Sequence, residues 1–569
     1  MRRPAQFYFP ILIPATIVLA ACARPLPAPH PCAAPGDAGA VVSAEADATN
    51  AGLDILRAGG SAADAAVAVA LALAVVHPQA GNLGGGGFAV VKNGDAVTTL
   101  DFRETAPRAA SHDMFLGPDG KTIPDASLVG GLAAGVPGSP AGLYELHHRH
   151  GVLPWRTVVE PALRLARDGF TVSPRLHDAI EWERDLLARF PETAAVWLPE
   201  GKPPEPGTVM RLPELAATLA TYSERGPEAI MSGPVAAAVA AAAHDHGGLL
   251  TTADLLDYRP IWREPLRFRA FGWEVASMRL PSSGGFILVQ SLGMLERLGW
   301  SDLPRSSVDR LHLLAEVWRR AYADRFLLGD PARMTTDVSR LLGPAWIAER
   351  AAGIDLARAT PSARIRPWPG IEAGEAAATT HLSVADGAGE MVALTSTLNG
   401  WFGCGVYVRG AGFLLNNEMD DFVIAPGRPN MFGLVQGEAN SVAPGARMLS
   451  SMCPTIAWRG DVSIALGSPG GSRIPTATMQ VLLDLIVDHD PLQAAVDRPR
   501  IHHQWLPDQI AAERGALDDR TRAALVERGH TIRDVDPIGE VSVVRRRSGG
   551  RLEAAADARG PGVAGLTPQ

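Results

Sequence analysis

Cysteine is scarce. The 569 residues include four, Cys22, Cys32, Cys404 and Cys453, which is too few for a disulfide framework in an exported protein of this size. Cys404 and Cys453 therefore read as free thiols in the core, and stability has to come from burial. Clustered positive charge is missing too. Lysine and arginine number 52 against 61 aspartate and glutamate, a formal charge of -9. With no long basic run, nucleic acid is excluded as a partner, because phosphate binding needs grouped cations. No repeat of solenoid period occurs. A long unbroken apolar run is also absent: residues 7–21 come nearest, but Pro10 and Pro14 interrupt them and they are too short to span a bilayer comfortably.

That stretch still carries information. Arg2 and Arg3 precede it, and it ends in Leu19-Ala20-Ala21-Cys22. A charged start followed by a short apolar run reads as an export signal. Its end resembles the bacterial lipoprotein processing box, in which the cysteine is lipidated and becomes the new N-terminus. The expectation is a signal over residues 1–22 with lipid on Cys22, then a Pro/Ala-rich tether over residues 23–40. The protein would sit in the bacterial periplasm, held to a membrane only by that lipid; a plain secretory signal cut elsewhere is the alternative. The length that follows suggests two or more domains.

From residue 41 the chain alternates strand-like and helix-like segments. Ser61 followed by Asp64 is a capping box, predicting a helix over residues 62–76 that is apolar nearly all round and so buried between layers. Pro78 ends it. Gly84-Gly85-Gly86-Gly87 lacks the Lys-Ser/Thr ending of a phosphate loop and reads as a structural turn before a strand at 88–91. A second strand covers 96–102 and a long helix 308–324. Residues 359–378 lose all period and read as an exposed loop.

Strong strand signals return at once, over 379–385 and 391–398, joined by Asp386-Gly387-Ala388-Gly389. This predicts a hairpin. A turn centred on Ala388 sets Thr379 opposite Thr397, with side chains about 4.5–5.5 Å apart at Cβ, and Asn399 extends the same face. Threonine is a poor nucleophile unless a base is adjacent. At a chain terminus its own α-amine is that base, with an ordinary pKa of about 7.7–8. Thr379 can act in this way only once the Ala378–Thr379 bond is broken. On local pattern alone, Thr379-Thr380 reads equally as ordinary strand.

Longer matches decide between these. Thr379-Thr380-His381-Leu382-Ser383-Val384 resembles the start of the small subunit of gamma-glutamyltransferases. Thr397-Leu398-Asn399, Leu415-Asn416-Asn417-Glu418-Met419-Asp420-Asp421-Phe422, Leu449-Ser450-Ser451-Met452, Gly467-Ser468-Pro469-Gly470-Gly471-Ser472-Arg473 and Arg500-Ile501-His502-His503-Gln504-Trp505 follow in family order. Upstream, Asn82 to Phe88, Asp101-Phe102-Arg103-Glu104, Ala134-Gly135-Val136-Pro137-Gly138, Pro281-Ser282-Ser283-Gly284-Gly285 and Ala321-Tyr322-Ala323-Asp324-Arg325 are similar to large-subunit motifs. The resemblance implies an N-terminal-nucleophile hydrolase fold, a four-layer αββα sandwich. It would be built jointly by a large subunit, residues 41–378, and a small subunit, residues 379–569.

By family role Thr379 cleaves the precursor and then forms a γ-glutamyl-enzyme, with Thr397 supporting its activation. The N–H groups of Gly470 and Gly471 would form the oxyanion hole. Arg103, helped by Ser450 and Ser451, would take the donor's α-carboxylate, and Asn399, Glu418 and Asp421 its α-ammonium. The donor implied is glutathione-like, the acceptor water, an amino acid or a peptide, and the chemistry requires no cofactor.

The sequence also departs from the family pattern. Phe432 stands where many bacterial members carry a lid tyrosine, Met448 replaces a proline, Cys453 a small polar residue, and Gly400-Trp401 differs after Asn399. Two other readings compete: a cephalosporin-type (glutaryl) acylase of the same fold, and a lipid-anchored binding protein without catalysis. His147-His148-Arg149-His150 and His244-Asp245-His246 lack a complete metal-ligand set and read as surface histidines.

Overall fold

The computed structural model describes residues 39–305, 307–367, 379–425 and 427–567. The expected signal, Cys22, Cys32, residues 23–38 of the tether and the stretch just before Thr379 lie outside them.

Two antiparallel sheets face each other. Their strands, in chain order, are β1 (Gly39–Ser43), β2 (Gly86–Asn93), β3 (Ala96–Phe102), β4 (Ile261–Arg263), β5 (Leu266–Ala270), β6 (Trp273–Ser277), β7 (Thr380–Asp386), β8 (Met391–Thr397), β9 (Thr455–Arg459), β10 (Val462–Gly467), β11 (Ser542–Arg546), β12 (Leu552–Ala555) and β13 (Val563–Thr567). The first sheet runs β13-β1-β7-β8-β2-β3-β4 and the second β12-β11-β10-β9-β6-β5. The start of β1 at Gly39 corrects the expected tether, which was extended to residue 40. Gly39 and Ala40 already pair with Asp386 and Ala385, so backbone hydrogen bonding orders the chain two residues earlier.

Strand alternation divides the core. On the first sheet Val41, Leu382, Val384, Val392 and Leu394 face a helical layer. Ala40, Val42, Ala385, Met391 and Ala393 face the second sheet. The helical layer begins with α1 (Ala46–Arg57) and α2 (Ala62–Val76). Every residue of α2 is buried, and its capping box between Ser61 and Asp64 is complete. Other helices cover it, which is why the sequence needed no polar face there. On the outer side of the second sheet lie α3 (Gly284–Arg297) and α5 (Ile474–Ile486), with α4 (Val308–Arg325) packed on α3. The order helix, sheet, sheet, helix is the αββα sandwich expected from the resemblance.

The Gly84–Gly87 run is more than a turn. Gly86 and Gly87 open β2, and a side chain at either would enter the neighbouring backbone, at the Phe102 and Thr395 carbonyls. The histidine reading is corrected in part. His148 and His244 are exposed, but His147, His150 and His246 are half-buried. His147 Nε2 bonds the Leu153 carbonyl at 2.8 Å and His246 Nε2 meets Glu192 at 2.6 Å.

Candidate active site

The β7–β8 hairpin sets the site. Its ladder runs from Met391 opposite Ala385 to Ser396 opposite Thr380. One more step opposes Thr397 and Thr379, the register expected from a turn centred on Ala388. Both are buried, 3% and 6% exposed. On its other edge β8 pairs with β2 as far as Thr397 opposite Gly86. There Asn82 Nδ2 donates to the Thr397 carbonyl at 2.9 Å. A Cβ on Gly85 would stand 2.1 Å from that same oxygen, so only glycine lets the two segments meet.

Thr397 Oγ1 accepts the Asn399 N–H at 2.8 Å, which directs the hydroxyl proton elsewhere. Asn399 has φ of 73°, a left-handed conformation that asparagine tolerates better than most residues. Two residues along β7, His381 sits between the sheets, with Nδ1 2.8 Å from Thr395 Oγ1 and Nε2 3.1 Å from Ser383 Oγ. Burial pushes its pKa down to about 3. It is therefore a neutral clamp at physiological pH.

A narrow cleft opens beside the hairpin, lined by Thr379, Thr397 and Asn399. Arg103, Glu418 and Asp421 also line it, as do Ser450, Ser451 and Gly471. Gly470 is outside the lining, next in chain to Gly471. Met452, Phe432 and Ile474 complete the cleft; Met452 ends the Leu449–Met452 motif without an expected role, and Ile474 lies outside every motif. Gly470 and Gly471 have φ of 127° and 56°. They lead through a short 3-10 turn into the N-terminus of α5, where backbone N–H groups and the helix dipole favour negative charge.

Arg103 follows β3 and is 1% exposed. Its Nε donates to the Met448 carbonyl at 3.3 Å. Its Nη1 lies 2.6 Å from Glu418 Oε2 and 3.5 Å from Glu104 Oε2, and its Nη2 pairs with Asp421. Burial opposes the charge on Arg103, but Glu418, Asp421 and Glu104 more than offset that and hold its pKa above the ordinary arginine value. The carboxyls rise as well. Burial pushes Glu104 up to about 7 against the pull of Arg103, and it raises Glu418 and Asp421. The residues expected to divide an amino acid's two charged ends thus form one buried ion cluster.

The Phe432 segment is anchored to that cluster. Asn430 Nδ2 donates to Asp421 Oδ1 at 2.8 Å, while Asn430 Oδ1 accepts the N–H groups of Phe432 and Leu434 at 3.1 and 3.0 Å. Gln504 Nε2 holds the Phe432 carbonyl at 3.1 Å. Gln504 belongs to the Arg500-Ile501-His502-His503-Gln504-Trp505 motif, and the fold gives it this role.

Cys404 and Cys453 are buried free thiols, with pKa values pushed up by burial to about 12 and about 11. Among the described residues no group of three His, Cys, Asp or Glu could hold a metal ion.

A family model described as Gamma-glutamyltranspeptidase matches residues 48–567. The chain belongs to the gamma-glutamyltranspeptidase family. Within it, the chain is similar to the glutathione hydrolase proenzyme of Escherichia coli (strain K12), 41% identical over 526 residues covering 92% of this chain and 90% of that protein. It is also similar to the glutathione hydrolase proenzyme of Pseudomonas aeruginosa, 42% identical over 534 residues, 93% of this chain and 94% of that one. Among solved structures, a cephalosporin acylase from Bacillus halodurans superposes with a TM-score of 0.83 at 27% identity, covering 97% of this chain and 100% of that one. The gamma-glutamyltranspeptidase family and this neighbour share the N-terminal-nucleophile hydrolase architecture described above.

Proposed function

We propose that this chain is a self-processing gamma-glutamyltransferase and glutathione hydrolase whose nucleophile is Thr379. The observation that carries the proposal is the lining of one cleft. A threonine at the head of a strand shares it with a cation, three polar or acidic groups suited to an ammonium, two serines and a glycine at a helix N-terminus.

In the precursor, Thr379 Oγ attacks the Ala378 carbonyl. The peptide C–N bond breaks, the α-amine of Thr379 is released, and water hydrolyses the ester left behind. The large subunit then ends at Ala378 and the small subunit begins at Thr379. In turnover the free α-amine takes the Oγ proton as Oγ attacks the donor's γ-carbonyl. The N–H groups of Gly470 and Gly471 stabilise the oxyanion, and the proton passes to the leaving amine. Water or an amino acid or peptide amine then accepts the γ-glutamyl group. Thr397 supports the nucleophile across the strand pair. Asn399, Glu418 and Asp421 receive the donor's ammonium, and Arg103, Ser450 and Ser451 its carboxylate.

Intact-mass analysis of the chain without its signal, beside Thr379→Ala, tests the first step. The parent gives two pieces meeting at Ala378–Thr379 and the variant stays whole. A whole chain in both removes Thr379 as the nucleophile.

The fit to the cephalosporin acylase favours a second reading, a glutaryl acylase. γ-Glutamyl and glutaryl anilides separate the two, because only the first offers an ammonium to Asp421 and Glu418. For location, the Leu19-Ala20-Ala21-Cys22 box supports lipidation at Cys22 and a periplasmic protein held by that anchor. Replacing Cys22 with serine should move the protein from the membrane to the soluble fraction; unchanged partition would remove the anchor.

A further inference from the structure

Arg325 closes α4 and is 2% exposed. Its guanidinium makes three bonds, all to uncharged oxygens: Nε to Ser283 Oγ at 2.9 Å, Nη1 to Gln436 Oε1 at 3.0 Å and Nη2 to Ser451 Oγ at 3.5 Å. Among the described residues no carboxylate lies in ion-pair contact with it. Burial lowers its pKa to about 10, with Asp421 opposing that shift and Arg103 adding to it, so it stays charged at neutral pH. A buried cation without an anion is costly.

Arginine can only donate, so each of its acceptors must send its own proton elsewhere. Ser283 Oγ accordingly donates to the Ser450 carbonyl at 2.7 Å. Gln436, its oxygen occupied, turns Nε2 to the Asp421 carbonyl at 2.8 Å. Ser451 must aim its proton away from Arg325, and Ser451 lines the cleft. Ser450 Oγ accepts the Met452 N–H at 3.0 Å, so its proton is also directed to another acceptor. Two cleft hydroxyls set as donors, backed by a cation with no carboxylate in direct contact, make a surface for an anion. Arg103 does not supply that charge alone, because Glu418, Asp421 and Glu104 already surround it.

We infer that Arg325 is a specificity-determining positioning residue for the donor's α-carboxylate. It supplies the positive charge behind the cleft and sets Ser451 as an outward donor. This rests on the γ-glutamyl reading above.

The test uses the self-cleaved enzyme with γ-glutamyl-p-nitroanilide as donor. Two competitive probes accompany it: glutarate, which keeps both carboxylates of glutamate and lacks the α-amine, and 4-aminobutanoate, which keeps the amine and the γ-carboxylate and lacks the α-carboxylate. In Arg325→Gln, KM should rise about tenfold or more, the cost of losing a charged hydrogen bond, with kcat within about twofold. Ki for glutarate should rise in parallel and Ki for 4-aminobutanoate should hold. Arg325→Lys, a shorter cation that keeps the charge, should show the same pattern more weakly, and it carries the test if the glutamine variant does not fold and cleave. Adding Ser451→Ala to either variant should cost less than it does in the parent, since the two act as a unit.

Equal rises for both probes, a kcat loss at constant KM, or fully additive losses would overturn the inference. A parent that turns over no γ-glutamyl donor removes the functional reading itself, and this inference with it.

Discussion

At the scale of single residues, the site depends on groups that have no freedom to be anything else. Gly471 takes a φ of 56°, and a Cβ there would stand 2.4 Å from the Phe432 ring. Gly471→Ala therefore strains the backbone at the oxyanion position and displaces the ring that closes the cleft. We expect kcat for γ-glutamyl-p-nitroanilide to fall about 10²–10³-fold, the usual loss for one oxyanion donor; activity within a few-fold of the parent would remove Gly471 from that role. Phe432 raises a different question, because its ring is buried but carries no hydroxyl. Its backbone is held by Asn430 and Gln504, while the side chain itself offers no hydrogen bond. Phe432→Tyr should restore one and slow the entry of water. The ratio of hydrolysis to transfer onto an added dipeptide should then fall by about two- to tenfold, the worth of one ordinary hydrogen bond. An unchanged ratio would mean that the backbone anchors alone set how tightly the segment closes.

Among the elements, α2 and the β7–β8 turn depend on one another. The N–H of Ala62 bonds Asp386 Oδ2 at 2.9 Å and that of Ala63 bonds Glu390 Oε1 at 3.0 Å. The hairpin thus caps the helix with two acids, which the helix dipole favours. Burial nevertheless pushes Glu390 up to about 7, with the neighbouring Asp386 and Asp64 adding to the rise. A carboxyl raised in the folded state stabilises below its unfolded pKa, and that stability is lost as pH climbs through the folded value. Glu390→Gln keeps the acceptor for Ala63 and removes the titration. The melting temperature of the variant relative to the parent should therefore increase from pH 5 to pH 8, and a gap that does not change with pH would refute this.

This hairpin was legible in the sequence because turn chemistry, strand period and the offset of Thr379 from Ala388 are local facts. The capping box of α2 was legible for the same reason. The Arg103 cluster was not. Arg103 and Asp421 are far apart in sequence, and only the fold, which brings the residue after β3 against Glu418 and Asp421, reveals that an expected carboxylate binder is already ion-paired. Arg325 ends the Ala321-Tyr322-Ala323-Asp324-Arg325 motif, but nothing local distinguishes it from a surface charge at a helix end.

Over the whole molecule, the position of the expected cut matters more than either piece. Strands β1–β6 precede Thr379 and β7–β13 follow it. In the first sheet β1 is hydrogen-bonded between β13 and β7, and β8 pairs with β2; in the second sheet β9 pairs with β6. Each sheet therefore crosses the boundary, and β1 has partners from the later half on both edges. No sequence pattern announced this order, because strand neighbours separated by hundreds of residues leave no local trace. Breaking the Ala378–Thr379 bond removes one covalent link but none of these ladders, nor the shared core between the sheets. The two pieces should run as one species on size exclusion in native buffer and separate only in denaturant. The β1 amides should stay protected from hydrogen exchange after cleavage as before it, since their partners are unchanged. Independent elution of the pieces, or β1 amides that exchange freely once the chain is cut, would mean that the uncut chain alone holds the sandwich together.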